Sequence, residues 1–435
     1  MAYKQRLINL ISKKKARIAI VGMGYVGLPL ATEFAKNGFF VYGVDYDKNK
    51  IDDLKKCKSY IQDIDNVLLK RLTSEKLLTF TTEYICVRDS DIVIVCVPTP
   101  LRKTREPDIS YIVNAAKMIK TNMKKGQLII LESTTYPGTT EEVLVPMFSE
   151  SGLKVGVDFF VAFSPERIDP GNRNFRTFNI TKIVGGVTKD CTLLSKLIYS
   201  KVIGKVIAVS GPKVAETTKL LENTFRAVNI ALINEFALMC DKLKIDVWEV
   251  IEAAKTKPFG FMPFYPGPGL GGHCLPIDPL YLTWKSRLLG FEARLIELAS
   301  QINLHMPHHV VHKIIEFINK KKHSIVNANI FVIGVTYKKD VPDIRESPAI
   351  DIVKLLIEKQ ARVSYYDPYV SVFNFNKLSL RSTKLTKENL AKSDCVVIIT
   401  DHSALDYDLI LKNSKLIFDT RNAYNNINNS KVIRI

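Results

Sequence analysis

Seven cysteines are scattered over 435 residues without one Cys-x-x-Cys pair, so neither a disulfide framework nor a zinc finger is expected. Cys96, Cys240 and Cys395 lie in apolar runs, where cysteine serves as a small buried hydrophobe. This usage suits a reducing compartment, and a cytoplasmic location is expected. No charge-free, strongly hydrophobic stretch reaches about 18 residues, which argues against a membrane span. No tract is low in complexity, so no large disordered region is expected. Acidic residues are in deficit, 44 against 62 basic ones, for a net charge of +18. That balance asks for an anionic partner. The lysines (13–15, 320–322, 338 and 339) are dispersed and lack neighbouring aromatic stacking residues, and no nucleic-acid-binding motif occurs, so nucleic acid is not the expected partner. A basic surface would equally steer small polyanionic ligands.

At 46% hydrophobic and 24% charged residues the composition is that of a globular protein, and 435 residues suffice for two or three domains. Lys13-Lys14-Lys15 ahead of the apolar run 18–31 superficially resembles a signal peptide. Three glycines inside that run point instead to a strand, a tight turn and a helix. Short apolar runs at 18–21, 39–44, 91–97 and 127–131 alternate with a helical pattern at 28–37 and with polar connections. Such runs are strands buried on both faces, as in a parallel sheet covered by helices, and the alternation predicts a doubly wound α/β domain. From Ser210-Gly-Pro212 onward no Gly or Pro interrupts the chain until Pro258, so two or more long helices are expected. Their broad apolar surface (Leu220, Leu221, Phe225, Val228, Leu232, Phe236, Met239) exceeds one amphipathic stripe and predicts a dimer interface. The α/β pattern returns near Asn329, with strands at 330–335 and 362–366 and a helix at 347–358. Ser90-Asp-Ile-Val-Ile-Val is echoed by Ser393-Asp-Cys-Val-Val-Ile, and Leu128-Ile-Ile-Leu by Leu416-Ile-Phe-Asp. The expected architecture is therefore two doubly wound Rossmann-like α/β domains, 1–207 and 323–435, joined by a central helical domain, 208–322. Only Gly334 follows the first strand of the second copy, so that copy is not expected to bind a dinucleotide in the same way.

Gly22-Met-Gly24-Tyr25-Val26-Gly27 follows a strand and opens a helix. Glycines at this spacing allow a tight turn, close approach to a pyrophosphate and close helix–strand packing, and the helix N-terminus offers N–H groups to phosphates. Asp45 closes the second strand 21 residues after Gly24, where a carboxylate accepts hydrogen bonds from ribose hydroxyls. The acid favours NAD over NADP, although Lys48 stands three residues on.

Residues 264–279 hold four glycines and four prolines in sixteen positions, a rigid, tightly turned loop whose backbone can approach a ligand. It presents Cys274 and, four residues later, Asp278. A thiolate beside a carboxylate suits covalent catalysis with general-base help; the spacing alone also fits a structural loop with an incidental buried cysteine. Lys219 and Asn223 are four apart on a helix and share a face.

Taken together, 22–27, Pro165-Glu166-Arg167, Lys219-Leu-Leu-Glu-Asn223, Gly271-Gly-His-Cys274 with Asp278, and Lys338-Lys-Asp with Asp343-Ile-Arg-Glu-Ser347 resemble the UDP-glucose/GDP-mannose dehydrogenase family along nearly the whole chain. The resemblance implies an NAD-dependent oxidoreductase that takes a UDP-sugar C6 alcohol to the acid in two hydride transfers. Cys274 would carry a thiohemiacetal and then a thioester. Lys219 and Asn223 would donate to the developing oxyanion, Asp278 would activate water, and Glu166 would assist proton transfer. Thr134 or Thr135 matches a position that binds water near C6. The same match implies NAD contacts from Tyr25, Val26, Pro98, Thr99, Thr135 and Arg345. It implies substrate contacts from Arg167, Phe264, Tyr265, Gly271, Lys338 and Arg421. Surface salt bridges are the plainer reading for the C-terminal cations.

UDP-glucose enzymes carry a lysine before the aspartate matched by Asp278, whereas this chain has Ile277. With Ser164-Pro-Glu-Arg-Ile-Asp-Pro-Gly171 and Leu280-Tyr-Leu-Thr-Trp-Lys285, that change resembles the UDP-N-acetylglucosamine 6-dehydrogenase branch, which serves capsule and O-antigen synthesis. UDP-glucose, UDP-N-acetylmannosamine and an N-acetylgalactosamine epimer are the alternatives. A two-electron hydroxyacid dehydrogenase would have no use for Cys274, and a non-catalytic NAD or nucleotide-sugar sensor no use for Cys274, Lys219, Asn223, Glu166 and Asp278 together. His305, His308, His309 and His312 have helical spacing but lack a completing carboxylate or cysteine. Pro307 is expected to start their helix, and no metal is expected.

Overall fold

Alternation of side chains between two apolar layers shapes both halves of the chain. In β1 (Arg17–Val21), Ile18 and Ile20 enter one core while Ala19 and Val21 enter the other. Every residue of β4 (Ile92–Val95), β5 (Leu128–Leu131) and β6 (Phe160–Phe163) is buried, as expected of strands covered on both faces. The computed structural model describes residues 2–435 except 62–63, 103, 151, 169–176, 322–323, 376–377, 426 and 428. Asp169, Pro170 and Gly171 of the sequence marker, and Lys322, thus lie outside the described residues.

The chain forms two compact units, Met1–Glu222 with Leu280–Phe291, and Asn223–Pro279 with Glu292–Ile435. The first is built on an eight-stranded sheet. Its further strands are β2 (Phe40–Val44), β3 (Leu78–Thr81), β7 (Lys182–Gly186) and β8 (Val206–Ala208), in the order β3-β2-β1-β4-β5-β6-β7-β8. All neighbours are parallel except β6 and β7. The second unit holds β9 (Asn329–Ile333), β10 (Arg362–Tyr366), β13 (Cys395–Ile398), β14 (Ile417–Asp419) and β15 (Val432–Arg434) in a parallel sheet ordered β10-β9-β13-β14-β15, and a hairpin of β11 (Val372–Phe375) and β12 (Leu378–Arg381). The order β2-β1-β4-β5 in the first sheet is repeated as β10-β9-β13-β14 in the second, so both sequence echoes fall on equivalent strands.

Two helices, Pro212–Leu243 and Val247–Lys255, fill the stretch without Gly or Pro, the second capped by Asp246, which accepts from the Trp248 N–H. Ser347 caps Pro348–Glu358 in the same way, with proline at the first turn. One expectation fails. Pro307 lies buried inside the helix Arg294–Lys320 instead of starting it. A proline in mid-helix frees the carbonyl four residues back. That carbonyl, of Asn303, faces Gly269, where a Cβ would lie 3.4 Å from the oxygen and 3.4 Å from Pro307 Cδ. The bare glycine loop therefore takes up the space beside the interrupted turn.

No described helix is long and apolar enough to cross a membrane. A Cβ on Gly27 would sit 1.8 Å from the Gly22 carbonyl oxygen, and backbone cannot swing aside. Gly27→Ala is accordingly expected to destabilise the first unit by about 3 kcal/mol, seen as a lowered thermal unfolding midpoint; an unchanged midpoint would show that the turn is more pliable than its geometry implies.

Candidate active site

The strand-to-helix turn gives each of its glycines a different task. Gly22 has φ +98, and a Cβ there would meet the Cys96 carbonyl oxygen at 2.5 Å. Gly27 lets helix Gly27–Lys36 pack onto the turn, whereas nothing lies within 4 Å of a Cβ built on Gly24. Space at Gly24 and the N–H groups of the helix start are what a pyrophosphate needs. Tyr25 and Val26, half-buried, pack against the core beneath. Asp45 is buried; its Oδ2 accepts from the Met23 N–H at 2.8 Å and its Oδ1 from the Asp47 N–H at 2.9 Å. Lys50 Nζ stands 4.0 Å from Asp45. Nearby, the Ser133 hydroxyl donates to the Val97 carbonyl at 2.8 Å, and the Tyr281 hydroxyl contacts the carbonyls of Thr99 and Pro100 at 3.0 and 3.1 Å. Pro98 and Thr99 are thus set by two hydroxyls. Thr134 is half-buried, while Thr135 is buried and shares a 2.6 Å hydrogen bond with Thr139. These residues fit NAD.

The thiol loop belongs to the second unit and is fastened along its length. Gly267 N–H donates to Asn234 Oδ1 at 3.0 Å, Asn234 Nδ2 to Asn303 Oδ1 at 2.9 Å, and Asn303 Nδ2 to the Ala227 carbonyl at 3.0 Å. A Cβ on Gly271 would lie 2.6 Å from Tyr337 Cβ and 2.9 Å from the Glu346 carbonyl oxygen; one on Gly272 would strike the Tyr337 ring at 2.7 Å. Gly272 has φ +82 and donates to the Arg345 carbonyl at 3.0 Å. Burial, reinforced by the charge of Arg345, holds His273 below the usual imidazole range. Cys274 follows, exposed. Its carbonyl accepts from the N–H groups of Ile277 (3.1 Å) and Asp278 (2.8 Å), so the chain winds one turn between thiol and carboxylate. Asp278 is buried and accepts from Asn223 Nδ2 at 2.5 Å. The incidental buried cysteine is excluded by this exposure.

On helix Pro212–Leu243, Lys219 and Asn223 are 8% and 5% exposed. The bland reading of Lys219 as a solvated helix residue therefore fails. Glu166 lies just beyond β6; its Oε1 accepts from the N–H groups of Arg167 and Ile168, both at 2.7 Å, and its Oε2 meets Lys182 Nζ at 2.8 Å. Arg167 pairs with Glu222 at 2.7 Å and donates to the Thr181 carbonyl at 2.8 Å. Phe264 meets Phe225 edge to face at 5.8 Å, and Tyr265 stacks on Trp248 at 6.0 Å. Arg421, donating to the Ile399 carbonyl at 2.8 Å, comes 2.8 Å from a Cβ built on Gly267. Lys338 is half-buried, its carbonyl accepting from Thr336 Oγ1 at 2.9 Å. Arg345 makes a 2.6 Å ion pair with Asp343, which is the salt-bridge reading of that residue. Among the described residues no three His, Cys, Asp or Glu side chains gather as a metal site.

Sequence reasoning missed several parts. Lys182 and Glu132 flank Glu166 through long-range packing, and no local spacing announces them. Asp367 repeats Asp45: its Oδ2 accepts from the Val335 N–H at 2.7 Å, directly after Gly334, and its Oδ1 from Tyr369 N–H at 2.8 Å. Its place at the end of a second strand could have disclosed this. In this copy, however, the fully buried His402 faces the acid, Nε2 to Oδ2 at 3.1 Å, while its Nδ1 accepts from the Asp340 N–H at 3.0 Å. Nδ1 is thus the unprotonated nitrogen and Nε2–H the donor. The pairing, with backbone N–H donors, outweighs burial and holds Asp367 below the usual carboxylate range.

Known proteins supply an independent comparison. The chain matches the UDP-glucose/GDP-mannose dehydrogenase family over its NAD binding domain at residues 16–203, its central domain at 213–305 and its UDP binding domain at 331–426. It is 38% identical to a UDP-N-acetyl-D-glucosamine 6-dehydrogenase of Pseudomonas aeruginosa, over 82% of this chain and 84% of that one. It is 35% identical to a UDP-N-acetyl-D-mannosamine dehydrogenase of Methanococcus maripaludis, over 93% and 92%. Among solved structures, a UDP-D-ManNAc dehydrogenase from Pyrococcus horikoshii aligns with a TM-score of 0.88 at 34% identity, covering 96% of this chain and 99% of that one.

Replacing His402 by phenylalanine would fill the space but leave Asp367 without its ring N–H and the Asp340 N–H without an acceptor. The expected result is a loss of about 2 kcal/mol from the second unit, measured as a lower unfolding midpoint with NAD binding unchanged. Wild-type stability in this variant would mean that water replaces both bonds.

Proposed function

Because the chain belongs to the UDP-glucose/GDP-mannose dehydrogenase family and is an NAD-dependent nucleotide-sugar 6-dehydrogenase, we propose that its substrate is UDP-N-acetylglucosamine, oxidised at C6 to the uronate for surface polysaccharide synthesis. The observation that carries the chemistry is the thiol loop: an exposed Cys274 one turn ahead of a buried Asp278 that is hydrogen-bonded to Asn223. NAD held at the glycine turn would accept one hydride in the first oxidation, and a second NAD would accept the other. Cys274 adds to the C6 aldehyde left by the first, giving a thiohemiacetal that keeps the aldehyde from escaping. The second oxidation leaves a thioester on Cys274. Asp278, acting as base, assists water in its hydrolysis, which releases the carboxylate and restores the thiol. Lys219 and Asn223, one helical turn apart, donate to the oxygen that gains negative charge. Glu166 and Thr134 manage the proton and water at C6. These roles follow the family match residue by residue, as do nucleotide contacts from Arg167, Phe264, Tyr265, Gly271, Lys338 and Arg421 and NAD contacts from Arg345.

The working division is 1–207 for NAD, 208–322 for dimerisation and catalysis, and 323–435 for the UDP-sugar. Ile277, in place of the lysine of UDP-glucose enzymes, favours an N-acetylated sugar. A UDP-N-acetylmannosamine substrate is the second reading, favoured by relatives of nearly equal identity and by the Pyrococcus structure. A second copy of the chain is the proposed partner of the helix Pro212–Leu243, where Phe225, Leu232, Phe236, Met239 and Leu243 form an exposed apolar stripe.

Counting NADH released per sugar consumed, with UDP-N-acetylglucosamine, UDP-N-acetylmannosamine and UDP-glucose in turn, tests the reaction and its substrate together. Two NADH per sugar and a clear preference for the first are expected; one NADH would remove the thioester step, and preference for another sugar would replace the substrate. Cys274→Ala is expected to abolish acid formation while leaving NAD affinity intact, so weakened NAD binding in that variant would make the cysteine structural. Leu232→Glu is expected to convert a dimer to a monomer in light scattering, and an unaltered mass would move the interface elsewhere.

A further inference from the structure

The first unit buries two carboxylates around one ammonium. Lys182, the first residue of β7, places Nζ 2.8 Å from Glu166 Oε2 and 3.1 Å from Glu132 Oε2. Glu132 directly follows β5, and its Oε1 accepts a hydrogen bond from the hydroxyl of Tyr199, on helix Lys189–Tyr199. Side-chain exposure rises along the chain of contacts, 0% at Glu132, 5% at Lys182 and 12% at Glu166. Among the described residues the Cys96 thiol also faces them, buried and pushed well up by desolvation, hence neutral.

Such a cluster has no evident value for stability alone. Two anions and one cation leave a net negative charge in a medium that solvates it poorly, and apolar replacements of buried ion pairs are often neutral or stabilising. The arrangement instead suits control of one carboxylate by its neighbours. Glu166 Oε1 is occupied by two backbone N–H groups, so the side chain cannot turn, and Oε2 alone answers to Lys182. Glu132, lying deeper, draws on the same ammonium from the other side.

We propose that Lys182 and Glu132 are positioning residues that act through Glu166: the ammonium orients the Glu166 carboxylate and keeps it ionised, and Glu132 competes for that ammonium. The charges behave accordingly. Burial would raise Glu166, but Lys182 and the backbone N–H groups overcome it and hold the carboxyl below the usual range. Burial dominates at Glu132, with the Glu166 charge adding to it, and pushes that carboxyl up to about 7 despite Lys182. Lys182 is held above the usual lysine range by the two carboxylates, against the effect of burial. Near neutral pH a proton arriving on Glu132 frees Lys182 for Glu166. Basicity at Glu166 then falls as Glu132 protonates and recovers as it ionises. The inference rests on Glu166 serving in proton transfer, as read above.

The test compares pH profiles of kcat/KM for the full-length protein and two variants. Lys182→Met removes the positive neighbour, and the acid limb set by Glu166 should move up by about one pH unit, a tenfold change in proton affinity. Glu132→Gln removes the negative neighbour and keeps an oxygen for Tyr199, and the limb should move down. Opposite displacements support the proposal, whereas losses without displacement, or displacements of the same sign, overturn it. Lys182→Arg, which keeps the charge, should restore the wild-type limb and guards against misfolding in Lys182→Met. Carboxyl-13C NMR of labelled glutamate, with the Glu166 signal identified by its absence in Glu166→Gln, reads the same two shifts without turnover. If Glu166→Gln turns over like wild type, the catalytic reading of Glu166 fails while the coupling is still judged by NMR.

Discussion

Everything in the cofactor half hangs on the contact between two peptide groups, Gly22 and Gly27, so close that no side-chain carbon fits between them. That approach brings the helix Gly27–Lys36 down onto the strand end. It also leaves Gly24 facing open space. A phosphate site made of backbone has no flexible part, and Asp45 is held the same way, by the N–H groups of Met23 and Asp47. The thiol loop is built on a like principle: bare glycine backbone is pressed against Tyr337 and the Glu346 carbonyl, and buried asparagines hold its start.

Much of this was legible before any coordinates, and the reasons are physical. Buried parallel strands must be apolar throughout, so β1, β4 and β5 announced themselves, and the echo of 90–95 in 393–398 marked equivalent strands of two sheets. Glycine spacing located the turn because only glycine permits it. Cys274 and Asp278 were legible because the intervening residues form a single local turn. What escaped notice depends on distance in sequence. Nothing near Glu166 points to Lys182, sixteen residues on, or to Glu132, just past the end of another strand. Pro307 misled because a proline usually begins a helix, and here the glycine loop accommodates the broken turn. Arg345, assigned to NAD by resemblance, is paired with Asp343 two residues before it, the salt bridge that the sequence left open beside that role.

The two Rossmann-like sheets share strand order, a positive-φ glycine after the first strand and an acid after the second, bound in each case by the N–H of the residue after that glycine. They differ in the turn and in the neighbours of the acid: nothing after Gly334 matches Gly24 or Gly27, and His402 engages Asp367, whereas Lys50 stands 4.0 Å from Asp45. Shared strand order alone therefore does not carry a dinucleotide site; the glycine turn is needed as well. One polypeptide thus carries the same strand framework twice, and what distinguishes the copies lies in the residues at the strand ends rather than in the sheets themselves.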